Sequence, residues 1–296
     1  MPSRVGRDER STSDGASKRM FDMVDSFVFA DLPDNVIGFT PTIGSTPTLP
    51  FLAKAIAHGG PVKIVAMGSS STAGRADVVP YPYRLEMYLR AQYYKDEYPH
   101  RRIDVLNRGM GGQEAKEELL RFESDIFAHK PAMVIWQVGT NAVFHNDKYQ
   151  VDDIAHDIKT GLQCLRNKLP EADVMLIDPQ YVTAMLLDDK ADLAARMVEL
   201  ISKEAGLAKV GVFHRWALMR HWHVHNSISF ERMLDPTDDA KLHQSDASTQ
   251  RLARGLCEII VKAVAAVPTS ELVKQPVAER DVRRFARAEQ DELDSQ

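Results

Sequence analysis

The chain has 296 residues, 44% hydrophobic and 27% charged, with a formal net charge of -5 and a pI near 6.1. That length can bury a large core without disulfides or metals, and two cysteines make no disulfide framework. The acidic balance and the lack of a basic block in the core region argue against nucleic acid as a partner, and no run of roughly 18 apolar residues is present to span a membrane.

Residues 1–18 are polar and aperiodic and are expected to be disordered. No apolar h-region stands next to the start, so no secretory signal is readable and the default expectation is a cytoplasmic protein. Residues 19–60 gain apolar side chains but also Pro33, Pro41, Pro47 and Pro50, which predicts an irregular extension. A regular alternation begins at Pro61. Apolar strand candidates are 62–67, 103–107, 133–138, 173–178 and 210–214, separated by helical patterns at about 83–97, 113–129, 151–168 and 189–206 and followed by one at about 246–266. Alternating strands and helices of this size predict an α/β chain, a flavodoxin-like three-layer α/β/α sandwich on a five-stranded, mainly parallel sheet with right-handed crossovers. The domain is placed at 61–267, and 268–296 form a charged tail that is either a solvated helix or disordered. Cys164 and Cys257 fall on or near apolar helix faces and read as buried free thiols.

In an open α/β sheet, ligands bind at the C-terminal ends of the strands. The first strand runs into Gly68-Ser69-Ser70-Ser71-Thr72, where a sharp small-residue turn holds Ser70 out at the strand end. Read alone, this is a loop with a serine N-cap. Asn107-Arg108-Gly109-Met110-Gly111-Gly112 follows the second strand. Its glycines allow close backbone approach and expose N–H groups to a developing negative charge, although a tight turn has the same composition. The full GxGxxG pattern is missing and the segment is not on the first strand, which argues against a dinucleotide. Gly139-Thr140-Asn141 follows the third strand and offers either a side-chain N–H donor or a turn asparagine. Asp178-Pro179-Gln180-Tyr181 points to the same edge, as a pocket wall or a proline-led turn. Directly before the last helix, Asp238 to Asp246 contains His243, whose imidazole can serve as base to Ser70, while Asp246 reads as the helix cap.

Taken together, the Gly68–Thr72, Asn107–Gly112 and Gly139–Asn141 blocks and the late His243 resemble the four ordered blocks of the SGNH hydrolases, also called the GDSL esterases, over about residues 61–266. Within that family the chain looks like an uncharacterised bacterial subgroup. The resemblance implies the same flavodoxin-like sandwich and acyl transfer from carboxyl esters, with no metal or organic cofactor. It gives Ser70 as nucleophile and His243 as general base. The oxyanion donors it implies are the Ser70 and Gly112 backbone N–H groups and the Asn141 amide. The implied partner is a small-molecule or carbohydrate ester; the polar composition favours short-acyl or sugar O-acetyl esters.

Two departures qualify the match. The first block of the family has Asp where this chain has Ser69, and the last block has Asp three residues before the histidine, where this chain has Ala240. The nearest acids are Asp239, four before His243, and Asp238, five before. A one-residue bulge would bring Asp239 to the imidazole, and Asp239 is therefore the expected third member; the alternatives are a Ser70–His243 dyad or a loss of activity. That loss would leave a non-catalytic carbohydrate-binding or assembly module. An α/β-hydrolase is disfavoured because G-x-S-x-G occurs nowhere in the chain. His214, His221, His223 and His225 form a local cluster. His221 and His225 share a helix face at zinc-compatible spacing, but no HExxH is present, and a rim role beside Trp216 and Trp222 is the preferred reading.

Overall fold

The computed structural model describes residues 48–94 and 102–272, all within one unit, Asn35–Gln296. The expected disorder of 1–18, most of the 19–60 extension and nearly all of the 268–296 tail lie outside the described residues.

The apolar runs form five parallel strands: β1 (Val62–Gly68), β2 (Ile103–Gly109), β3 (Met133–Gln137), β4 (Asp173–Ile177) and β5 (Gly211–Phe213). Their order across the sheet is β2-β1-β3-β4-β5. The central strand β3 is buried at every position, as a strand covered on both faces must be, whereas β2 at the edge alternates buried and half-buried residues near its start. The order reverses between β1 and β3. A crevice opens beyond the C-terminal ends of the strands at such a reversal.

The helices form two packed sets. In one, α1 (Pro50–Ala57) and α3 (Tyr81–Tyr93) pack against α11 (Asp246–Ala265). In the other, α7 (Val151–Lys168) packs against α8 (Lys190–Ala208) and against α4 (Ala115–Leu119). The short helices α2 (Ser70–Ala73), α5 (Phe122–Asp125), α6 (Thr140–Phe144), α9 (Arg215–Val224), α10 (Phe230–Met233) and α12 (Thr269–Leu272) complete the described chain, with single 3-10 turns at Phe127–His129 and Thr183–Met185.

Several local expectations change. Helix α1 occupies part of the stretch read as irregular. Pro50 sits in its first turn, where a proline opens a helix because its missing N–H is not needed there, and Asp173 accepts from the Leu52 N–H at 2.8 Å. The single helix expected over 113–129 is divided into α4, α5 and a 3-10 turn. Arg121 adopts φ -113 and ψ 10 at the break and binds Gln113 Oε1 at 2.6 Å and the Arg108 carbonyl at 2.9 Å, so long-range hydrogen bonds divide a segment that contains no proline or glycine. The cap of α11 is Ser245, whose hydroxyl accepts from the Ser248 N–H; Asp246 lies one residue inside the helix and holds the Val79 N–H and Arg84 instead. Cys257 is buried and free as expected, but Cys164 is only half-buried.

Candidate active site

Strand β1 ends at Gly68, and Ser70 opens α2 on the next turn, half-exposed at the sheet edge. Ser69, where the resemblance led one to expect aspartate, donates both its N–H (3.1 Å) and its hydroxyl (3.0 Å) to Gln137 Oε1. The glutamine at the end of β3 therefore supplies the acceptor to which this turn is anchored. Its own Nε2 donates to Thr140 Oγ1 at 3.2 Å, and the buried Arg215 Nη2 donates to the same oxygen at 3.2 Å. Burial lowers the Arg215 guanidinium to about 10 against the opposing pull of Asp178.

The end of β2 closes on the serine turn from the other side. Asn107 Nδ2 donates to the Ala73 carbonyl at 3.3 Å and Asn107 Oδ1 accepts from the Gly109 N–H at 2.9 Å. A Cβ on Gly109 would stand 2.1 Å from the Ala73 nitrogen, so only glycine permits this approach. The chain then passes Ser70. A Cβ on Gly111 would lie 3.8 Å from Ser70 Cβ, and Gly112 turns the backbone with φ +76. Asn141, in the first turn of α6, is 3% exposed and donates from Nδ2 to the Gln113 carbonyl at 2.7 Å, which ties it to the glycine loop. Among the described residues, the Ser70 and Gly112 N–H groups have no acceptor. One carboxylate braces this arrangement. Glu114 is buried and accepts from the Gly139, Ala115 and Ala142 N–H groups at 2.8, 3.0 and 2.9 Å, holding the starts of α4 and α6 together. Burial raises its pKa, and these backbone donors oppose the rise.

His243 reaches Ser70 from the loop before α11. Its Nε2 is 3.0 Å from Ser70 Oγ, and its Nδ1 is 2.9 Å from Asp238 Oδ2. The expected acid, Asp239, is therefore corrected: the carboxylate on the imidazole is Asp238, which is buried, whereas Asp239 is exposed. The physical cause is the turn between them. Lys241 takes φ +54 and its N–H bonds the Asp238 carbonyl at 3.0 Å, which turns the Leu242 and His243 N–H groups back onto Asp238 Oδ2 at 2.9 and 2.7 Å. Arg75 Nη1 stands 2.8 Å from Asp238 Oδ1, an ionic contact without hydrogen-bond alignment. Burial works to raise the Asp238 pKa, but the hydrogen bonds from His243 and Leu242 and the His243 charge outweigh it and hold the carboxyl down at about 2.

Gln180 joins the two halves. Its Oε1 accepts from Ser71 Oγ at 2.9 Å and its Nε2 donates to the Leu242 carbonyl at 2.8 Å, so one buried side chain spans from the serine turn to the histidine loop. A hydroxyl, an imidazole and a carboxylate in this sequence of hydrogen bonds can generate a serine nucleophile, and free N–H groups beside it can hold an oxyanion. A second histidine–carboxylate pair lies at the ends of β4 and β5: His214 Nδ1 is 3.1 Å from Asp178 Oδ2, and Asp178 Oδ1 accepts the Trp216 N–H at 2.8 Å. His221 and His225 share a face with ring centroids 4.8 Å apart, Trp222 is buried, and among the described residues no three metal-ligating side chains converge.

Gln137, Glu114 and Arg75 are absent from the expected site, and Gln180 was expected only as part of the segment read as a pocket wall or a turn. Only Gln137 and Glu114 leave a local trace, as a polar residue ending an apolar run and as the first acid of an E-x-x-E capping box with Glu117.

A model of the non-GDSL lipase-like family matches residues 39–266. The chain belongs to that family of esterase- and lipase-like hydrolases. No curated protein sequence matches this non-GDSL lipase-like chain. Among solved structures, it is similar to an acetylxylan esterase from Geobacillus stearothermophilus, with 19% identity and a TM-score of 0.54 over 67% of this chain and 94% of that one. It is also similar to a lipase/acylhydrolase from Enterococcus faecalis, with 19% identity and a TM-score of 0.53 over 67% of this chain and 95% of that one. These likenesses show that the non-GDSL lipase-like chain has the sandwich fold of the SGNH hydrolases. Among its described residues no helix is long and apolar enough to cross a membrane.

Proposed function

We propose that the chain is a serine esterase that cleaves carboxyl esters. The observation that carries this reading is the Ser70–His243–Asp238 relay, at 3.0 and 2.9 Å. In the first step His243 Nε2 takes the Ser70 proton as Oγ attacks the ester carbonyl, forming one C–O bond. The carbonyl electrons move to the oxygen, which the Ser70 and Gly112 N–H groups and the second Asn141 Nδ2–H receive. Each donor of this kind is worth roughly 2.7–4 kcal/mol to the transition state. As the tetrahedral centre collapses, the ester C–O bond breaks and His243 returns its proton to the leaving alcohol. Water then repeats the sequence on the acyl-enzyme, releasing the acid and restoring Ser70. Asp238 keeps the imidazole oriented and balances its transient positive charge.

Short-acyl esters and O-acetyl esters of carbohydrates are the favoured substrates, in keeping with the acetylxylan esterase among the similar folds. The alternative of a non-catalytic module drew on Ala240 standing where the family has its acid; with Asp238 on the imidazole, that support falls away. Hydrolysis of p-nitrophenyl acetate tests the proposal. Turnover by the wild type that falls to the buffer rate in Ser70→Ala and in His243→Ala is the expected result, and wild-type protein no faster than Ser70→Ala overturns it.

A further inference from the structure

Next to the proposed site, the ends of β4 and β5 carry a group of aromatic rings that ester cleavage itself does not need. Three rings meet in a triangle: His223 stacks on Phe230 at 4.1 Å and 24°, Tyr181 on Phe230 at 5.8 Å and 30°, and Tyr181 and His223 stand 6.2 Å apart at 41°. Trp216 meets Tyr181 edge-on at 5.0 Å and 84°. Three separate segments supply them: the loop after β4, α9 and α10. All four residues are half-buried, whereas the buried residues of α9 are Arg215, Leu218, Met219 and Trp222. The rings are thus not the core packing of α9 but a wall above it.

The ring group is tied to the reacting groups through neighbouring residues of the chain. Tyr181 directly follows Gln180, the strut between Ser71 and the carbonyl next to His243, and the Trp216 backbone is fixed by Asp178. Polar atoms edge the rings. His223 Nδ1 pairs with the Ile228 carbonyl at 2.9 Å, which makes Nδ1 the donor, so that Nε2 is an acceptor in the neutral ring. Among the described residues the Tyr181 hydroxyl has no hydrogen-bond partner. Ring faces bordered by hydrogen-bonding edges suit a ligand that is apolar on its faces and hydroxylated around its rim; a lipid acyl chain would need aliphatic walls without those edges.

We propose that Tyr181, Trp216, His223 and Phe230 form a pyranose subsite that seats the sugar ring of an O-acetylated carbohydrate with its acetyl group at Ser70. This rests on the esterase reading and adds to it where the alcohol portion of the substrate lies. The test compares wild type, Trp216→Ala and Trp216→Phe on p-nitrophenyl acetate, which has no sugar, and on mono-O-acetylated methyl β-D-glucopyranoside and β-D-xylopyranoside. Trp216→Ala is expected to lower kcat/KM on an acetylated pyranoside by about tenfold, mainly through KM, a change equivalent to about 1.4 kcal/mol. Its rate on p-nitrophenyl acetate stays within about twofold of wild type, and Trp216→Phe retains most of the pyranoside rate, which shows that a ring is what matters. Equal losses on both substrates, or no loss on either pyranoside, overturn the proposal. Saturation-transfer NMR of Ser70→Ala with the deacetylated pyranosides separates the two readings. Binding that disappears with Trp216→Ala supports the wall even if no ester is cleaved, and binding that survives Trp216→Ala, or no binding at all, contradicts it.

Discussion

Two backbone N–H groups, an imidazole and a guanidinium surround the Asp238 carboxylate, and each favours its ionised form over the protonated one. The carboxyl is consequently held near 2, below an ordinary aspartate. A depressed pKa contributes stability that is present above the unfolded value and is lost as pH falls through the folded one. The histidine loop therefore loosens between about pH 4 and pH 2 and is unaffected by this group near neutrality. Asp239, one residue away and exposed, is given none of these partners in the loop. Spacing along the chain is thus a poor guide to which acid meets a histidine when the intervening turn contains a left-handed residue. At Lys241 that residue is not glycine, and nothing in its side chain announces the conformation.

At the scale of the element, α7 shows a glycine retained for the space it leaves. Its buried positions, Val151, Ile154, Ala155, Ile158, Gly161, Leu162 and Leu165, recur at helical spacing and face the sheet. A Cβ on Gly161 would lie 2.4 Å from the Trp136 ring. That ring has little room to retreat: its Nε1 donates to Glu118 at 2.6 Å and it meets the Phe122 ring in a T-shaped contact at 5.1 Å. Alanine is the better helix former by roughly 1 kcal/mol. Gly161→Ala is nevertheless expected to lower stability, because overpacking of this kind costs about 1–3 kcal/mol. Urea denaturation reads the outcome, and a variant as stable as the wild type would show that Trp136 can move.

For the whole molecule, buried acids link stability to pH. Burial, and then the neighbouring Glu114 carboxylate, push Glu118 up to about 8 against the pull of the Trp136 N–H. Between about 4.5 and 8 the folded chain keeps a proton that the unfolded chain has released, so this stabilisation is complete below the unfolded pKa and is lost as pH rises through 8. Asp173, raised to about 7 by burial, acts in the same direction. Glu118→Gln removes the first contribution and leaves the second. The melting temperature of the variant relative to wild type is therefore expected to rise between pH 5 and about pH 9, and a difference that does not vary with pH would contradict the shift. The same scale explains what was legible in the sequence. The five parallel strands and the sandwich follow from local periodicity, and the strand ends that carry Ser70, Gly112 and Asn141 follow from where each apolar run stops. The hydrogen-bonding roles of Gln137 and Gln180 were not legible, because their partners Ser69 and Ser71 lie 68 and 109 residues away and only the folded sheet brings them together. The division of the 113–129 helix was hidden for the same reason, since it depends on Arg121 reaching back to the end of β2.

The most direct test of the account is kcat/KM on p-nitrophenyl acetate for wild type, Asp238→Asn and Asp239→Asn, measured side by side at neutral pH. The account predicts a wild type that turns over, an Asp238→Asn variant slower by about 10²–10⁴, and an Asp239→Asn variant within about threefold of wild type. An Asp239→Asn variant that loses activity while Asp238→Asn keeps it, or a wild type that does not hydrolyse the ester, would contradict it.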